Sequence, residues 1–194
     1  MLNSNQIIFA FIGEMLGGKG TACQYLQAKY GAPTYRFSTI LRDIATRLRI
    51  EHSRANLQKI STALRQCLGE NILAQAVAND VKADSSPLIT VDGVRRLSDV
   101  AYIRELPGFH LIYVTADEAV RYQRVVARKE NSDDGQTTLA QFQQDHLAES
   151  ELGIATAAAD AGFRIDNNGT LQEFYGKIED ILKQLGYGGQ NPSA

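Results

Sequence analysis

The stretch Gly13-Glu14-Met15-Leu16-Gly17-Gly18-Lys19-Gly20-Thr21 has the spacing G-x-x-x-x-G-K. In that spacing glycines let backbone N–H groups turn inward around phosphate oxygens, and a lysine ammonium reaches the outer phosphates. The stretch follows a β-prone run and opens a helical one, so the positive end of a helix dipole is added to the same anion site. Gly13, Gly17, Gly18, Lys19, Gly20 and Thr21 are therefore candidates for holding the phosphates of ATP. The position after the lysine, where a serine or threonine usually binds Mg²⁺, is Gly20, with the hydroxyl displaced to Thr21. The metal is expected to be held mostly by ATP oxygens and waters, an arrangement Mg²⁺ tolerates well.

A second set of residues could answer the charge of a reacting phosphoryl group. Arg121, Arg124 and Arg128 fall at i, i+3 and i+7 of an expected helix, on one face, while Tyr122, Val125 and Val126 fall on another that can pack. Guanidinium groups suit phosphate because they stay charged and bind two oxygens at once. An ordinary solvated basic face is the alternative, made less favourable by the phosphate loop upstream. Asp92 ends an apolar strand, where α/β folds place ligand-contacting groups, and could orient a magnesium-bound water; an Asx turn before Gly93 explains it equally well. Arg65 could contact an acceptor's phosphate or lie on the surface. Asp145 and Glu149, i and i+4 apart, fit solvent exposure best. Asn167-Asn168-Gly169-Thr170 is turn chemistry with Thr170 as a helix N-cap, and Asn168 is also a candidate for the ATP site.

These residues have to be positioned by alternating strands and helices. Gln6–Ile12 is a continuous apolar run, as expected of a parallel strand buried on both faces. Further strands are expected at Thr34–Phe37, Leu88–Val91, His110–Thr115 and Phe163–Asp166. A helix from the loop stops at Gly31-Ala32-Pro33, Ser38 is expected to cap the next, and Ser53 the one ending at Gly69. Another passes through Ile72, Leu73, Ala76 and Val77. Others are expected from Ser98 to before Pro107, from Asp117 to about Lys129, from Leu139 to about Ser150, and from Thr170 past Leu185. This alternation predicts a five-stranded, mostly parallel sheet with helices on both faces. Residues 1–194 are expected to form one domain, with a helical insert at about 38–83 and a tail from 186 to 194.

Composition narrows the partners. A net charge of −2 argues against a basic surface for a nucleic-acid polymer, without excluding a local basic pocket. Cys23 and Cys67 lie far apart and outside any C-x-x-C pair, so a reducing, cytoplasmic setting fits better than a disulfide framework. His52, His110 and His146 have no metal-ligand spacing. No signal peptide is expected, because the apolar run Ile7–Ile12 is short and lacks a basic flank. No membrane span is expected either, because no apolar run approaches the roughly 20 residues a span needs. No protein partner is implied.

Four segments in order resemble adenylate kinase and related nucleoside monophosphate kinases: Gly18-Lys19-Gly20-Thr21; Phe37-Ser38-Thr39-Ile40-Leu41-Arg42; Val91-Asp92-Gly93-Val94-Arg95-Arg96; and Arg124-Val125-Val126-Ala127-Arg128. The resemblance implies a P-loop kinase three-layer sandwich with an acceptor-binding helical insert and a short lid at about 124–138. It implies transfer of the γ-phosphoryl of Mg-ATP to a nucleoside or deoxynucleoside monophosphate. Lys19, Arg95, Arg124 and Arg128 would then be catalytic. Ser38, Arg42, Arg65, Asp92, Arg95 and Arg96 would hold the acceptor, either of the adjacent arginines serving its phosphate. Thr21 and Asp92 would reach the metal through water. No proline precedes Arg95, no zinc cysteines accompany the lid, and Leu97-Ser98-Asp99-Val100 lacks the family's base-reading glutamine. The acceptor base is therefore open. A dephospho-coenzyme A kinase-like enzyme is the main rival, disfavoured by Gly20, and a nucleotide switch without an acceptor is the other.

Overall fold

The computed structural model describes residues 6–127, 138–146 and 153–187. Its elements run β1 (Ile7–Ile12), α1 (Lys19–Tyr30), β2 (Thr34–Arg36), α2 (Phe37–Arg47), α3 (Arg54–Leu68), α4 (Ile72–Ala83), β3 (Leu88–Val94) and α5 (Leu97–Val100). They continue through β4 (Phe109–Thr115), α6 (Glu118–Ala127), α7 (Leu139–His146), α8 (Ile154–Ala158), β5 (Phe163–Asp166) and α9 (Leu171–Gln184). The five strands form one sheet in the order β2-β3-β1-β4-β5, and every neighbouring pair is parallel.

β1 is the central strand, and every residue in it is buried. Its alternate side chains serve two cores. Ile8, Ala10 and Ile12 pack with residues of α2, α3, α4 and α8, whereas Ile7, Phe9 and Phe11 pack with α1 and α9. A strand covered on both faces has no reason to alternate apolar with polar, which is why it reads as a continuous run. The chain goes outward from β1 to β2, back to β3, and across to β4. Strand order thus reverses at β1, and the loops leaving β1, β3, β4 and β5 share the edge where such folds bind ligands.

Four local expectations are corrected. β2 ends at Arg36 and Phe37 begins α2, so Ser38 lies in the first turn and the N-cap is Arg36, with no side-chain cap bond. The buried face Phe37, Leu41 and Ala45 sets that start, and tertiary burial overrides the capping preference of Ser38. β3 runs on to Val94 because pairing with β1 resumes, Ile12 opposite Val94, after a bulge. The helix expected up to Pro107 is only Leu97–Val100. Beyond it Val100, Ile103 and Leu106 are buried at a three-residue spacing, and Leu106 N–H donates to the Ile103 carbonyl at 3.0 Å, the tighter turn that spacing demands. α8 was not expected: at five residues, with only Ile154 and Ala157 buried, it is too short for a periodic signal. The ends of the helices expected to Lys129 and Ser150, the segment Glu130–Thr137 and the tail beyond Tyr187 lie outside the described residues. Ser53, Gly69 and Thr170 are found at the helix ends where they were expected. No helix among the described residues is long and apolar enough to cross a membrane.

Candidate active site

The loop between β1 and α1 is seated on the end of β4. A β-carbon at Gly13 would lie 1.9 Å from the Val114 carbonyl oxygen, and one at Gly17 would lie 2.9 Å from the same atom. Gly18, the N-cap of α1, has φ 117°, and a β-carbon there would meet Asn167 Nδ2 at 2.3 Å. Leu16 takes φ 63°, an uncommon conformation for a residue with a side chain. Lys19 Nζ donates to the carbonyls of Gly13, at 2.5 Å, and Glu14, at 2.8 Å, so its ammonium lies across the mouth of the loop. The first turn of α1 carries neither an acidic residue nor a side-chain cap, leaving the positive end of its dipole unopposed.

The outer side of the loop is held by side chains from distant elements. Arg121 Nη1 donates to the Met15 carbonyl at 3.4 Å, Arg124 Nη1 to Leu16 at 3.1 Å, and Asn167 Nδ2 to Gly17 at 2.8 Å. In a trans peptide the carbonyl and the following N–H point in opposite directions. Drawing the Met15 and Gly17 carbonyls outward therefore turns the N–H groups of Leu16 and Gly18 inward, the orientation an anion needs. Gly17 N–H instead closes a turn onto the Glu14 carbonyl at 3.1 Å.

Arg124 also donates to the Asn167 carbonyl at 2.7 Å, and its burial lowers its pKa. Arg121 is 5% exposed, bonds the Ala116 carbonyl through Nε at 3.0 Å and lies 5.6 Å from the Phe142 ring. Asn167 and Arg121 had no distinguishing signal in the sequence. The first looked like turn chemistry, and the second like one more cation on a basic face. Glu14, an acidic residue within the loop, accepts from the Tyr113 hydroxyl. Arg164 lies over that ring, 4.9 Å from its centre.

Asp92 sits where the bulge turns β3, opposite Arg36 of β2, whose Nε lies 3.3 Å from Asp92 Oδ2. A β-carbon at Gly20 would come 4.0 Å from the same oxygen, so the carboxylate stands next to the loop and Gly20 leaves the approach open. No cluster of three carboxylate, histidine or cysteine ligands occurs among the described residues. One carboxylate beside Gly20, with the half-buried Thr21 next in sequence, suits Mg²⁺, which keeps its waters and takes phosphate oxygens. Cys23 is buried close by, and burial, aided by the Asp92 charge, pushes its thiol well above the ordinary range and so away from nucleophilic chemistry.

On the other side of the crevice, Ser38 and Arg42 are exposed on α2, while Arg95 and Arg96 lie on the loop after β3. Asp99 Oδ2 accepts the backbone N–H groups of Arg95, at 3.0 Å, and Arg96, at 3.1 Å. Arg65 Nη2 reaches Asp99 Oδ1 at 2.7 Å, and Arg65 Nη1 donates to the Glu70 carbonyl at 2.6 Å. Arg96 Nη1 pairs with Glu70 Oε1 at 2.9 Å. Asn168 ties the ends of β4 and β5 together. Its Oδ1 accepts Asp117 N–H at 2.7 Å, and its Nδ2 donates to Asp166 Oδ2 at 2.9 Å and Asp117 Oδ1 at 3.1 Å. Arg128 and Glu149 lie outside the described residues, as does most of the expected lid.

Residues 17–143 match the family described as the AAA domain. A UPF0200 protein of Methanosarcina barkeri is 30% identical over 188 residues, spanning 96% of this chain and 98% of that protein. One of Hyperthermus butylicus is 28% identical over 185 residues, spanning 95% and 98%. Among solved structures, TT1252 from Thermus thermophilus superposes with a TM-score of 0.62 at 15% identity, covering 93% of this chain and 98% of that one. Shikimate kinase from Bacteroides thetaiotaomicron gives 0.62 at 11% identity, with the same coverage. At such identities the likeness is one of fold, and the fold is that of P-loop kinases.

Proposed function

Starting from a chain that belongs to the UPF0200 family and contains the AAA domain in a P-loop kinase-like fold, we propose that it transfers the γ-phosphoryl group of ATP to a nucleoside or deoxynucleoside monophosphate. The observation that carries this proposal is a phosphate loop with inward-turned amides after β1 and a second basic loop, Arg95-Arg96, after the neighbouring parallel strand β3. A nucleotide-binding module needs the first of these. The second is explained by an acceptor that brings its own phosphate.

Phosphoryl transfer asks for alignment and charge stabilisation more than for covalent chemistry. The Leu16 and Gly18 N–H groups and the Lys19 ammonium hold the donor's outer phosphates. Arg95 or Arg96 holds the acceptor's phosphate in line, with Ser38 and Arg42 on the insert side. Mg²⁺ bound with ATP would neutralise charge on the phosphate oxygens, with Asp92 and Thr21 reaching it through water. Arg124 keeps the loop in shape by drawing on Leu16 and Asn167 together. Arg128 would add a lid cation.

Arg124→Ala is expected to reduce turnover about 10- to 100-fold, the range of a lost hydrogen bond to a charged group that positions the loop. ATP affinity should weaken less, because Lys19 and the Gly18 N–H remain. Arg124→Lys should recover little, since an ammonium does not reproduce a planar fork across two carbonyls. Steady-state kinetics and ATP titration of the three proteins measure this, and unchanged turnover in Arg124→Ala would remove the residue from the site.

The activity itself is tested by coupled ADP release with Mg-ATP against AMP, CMP, GMP, UMP, their deoxy forms, dephospho-coenzyme A and shikimate. Turnover on one or a few monophosphates supports the proposal and identifies the base. Turnover on dephospho-coenzyme A or shikimate alone keeps the loop chemistry but replaces the acceptor. Tight ATP binding with no turnover on any acceptor favours a nucleotide switch.

A further inference from the structure

Two adjacent arginines at the end of a buried strand would repel each other and scatter unless the backbone beneath them were fixed. Here it is fixed from several directions. Asp99 is 3% exposed, and one of its carboxylate oxygens takes the N–H groups of both Arg95 and Arg96. Its other oxygen is held by Arg65, whose side chain is 10% exposed, so the pair is largely removed from water. Arg65 in turn grips the Glu70 carbonyl on the turn between α3 and α4, and the Glu70 carboxylate meets Arg96. From the far side Gly153, the N-cap of α8, packs so closely that a β-carbon would lie 2.9 Å from the Arg95 carbonyl oxygen.

We infer that Asp99, locked by Arg65, is the positioning residue that presents Arg95 and Arg96 to the phosphate of the acceptor; this rests on the phosphoryl-transfer function proposed above. A charge-assisted bond from one buried carboxylate to two successive amides sets the peptide planes from which both guanidinium groups depart. The clamp acts on the backbone, so Asp99 competes for neither guanidinium. Arg96 would exchange its Glu70 partner for the phosphate, which a planar guanidinium can bind in bidentate fashion. Arg65 therefore serves acceptor binding through Asp99 and not by direct contact. The helices α3 and α4 are tied to the same loop through Arg65 and Glu70.

The test compares the whole chain with Asp99→Asn, Arg65→Ala, Arg65→Lys and Gly153→Ala, measuring KM for the best monophosphate, KM for ATP and kcat. Asp99→Asn is expected to raise the acceptor KM about tenfold to a hundredfold, the range of a hydrogen bond to a charged group. The ATP KM should stay within about twofold, because the phosphate loop is untouched. Arg65→Lys should recover part of what Arg65→Ala loses. Gly153→Ala pushes on the Arg95 carbonyl without removing any charge, so it keeps the test available if Asp99→Asn fails to fold, and it should raise the acceptor KM selectively too. Unchanged KM values, with the apparent kcat falling only in step with the folded fraction, would overturn the inference, leaving a purely architectural clamp. If the wild-type chain turns over none of the acceptors, the function fails separately. The clamp is then read by titrating inorganic phosphate into the Mg-ADP-saturated protein and following the Arg95 and Arg96 amide resonances. Shifts in wild type that vanish in Asp99→Asn support it, and their absence in wild type overturns it.

Discussion

Lys19→Ala is expected to lose about 1,000-fold in turnover while remaining folded. The ammonium bonds the Gly13 and Glu14 carbonyls of the loop, and a preorganised donor of this kind typically contributes 100- to 1,000-fold in rate. Its removal should hardly disturb the fold. The Gly13 and Glu14 carbonyls lose a part-buried partner, and a net hydrogen bond contributes only about 1 kcal/mol. Lys19→Arg is not expected to rescue activity, because a planar, bulkier head cannot occupy the position of a compact point charge between two loop carbonyls. The measurements are kcat/KM on the acceptor identified by the panel, together with a thermal melt. Near-normal turnover in Lys19→Ala would dismiss the loop as the site of phosphate chemistry.

Gly13→Ala should act on the fold itself. The added β-carbon would lie 1.9 Å from the Val114 carbonyl oxygen, a backbone atom held in the sheet, and the residue's φ of 153° is one that side-chain-bearing residues rarely adopt. No rotamer change relieves a clash with backbone, so either β4 draws away from β1 or the loop leaves its seat. A loss of about 3 kcal/mol or more is expected, in the range reserved for core overpacking and backbone strain. Gly20→Ala is the matched control. A β-carbon there meets nothing nearer than Asp92 Oδ2 at 4.0 Å, and alanine in a helix is preferred over glycine by about 1 kcal/mol. Denaturant unfolding of the two variants beside wild type checks the contrast, and equal stabilities would mean that the loop is not seated on β4.

Fold and site differ in how far they could be read from the residues alone. Central strand, phosphate loop and succession of elements were all legible, because each is local. A continuous apolar run marks a strand covered on both faces, glycine spacing marks backbone that must take φ values closed to other residues, and helix ends announce themselves at Ser53 and Thr170. Legibility failed where burial competed with a local preference. The core face beginning at Phe37 displaced the cap from Ser38, and the three-residue spacing of Val100, Ile103 and Leu106 cut short the helix after β3.

The sequence by itself thus determined an alternating α/β chain with a phosphate loop after its first strand and arginines downstream. Which arginines do what was decided by tertiary structure. Arg121 and Arg124, more than 100 residues from the loop, hold its carbonyls outward, and Asn167, 150 residues from Gly17, completes the set. Asp99 finds Arg65 across 34 residues and spends its charge on the backbone of Arg95 and Arg96. Side-chain type states what a residue can bond. Its partner is settled only when strand order β2-β3-β1-β4-β5 brings the ends of distant strands to one edge, and nothing within one element's period carries that order.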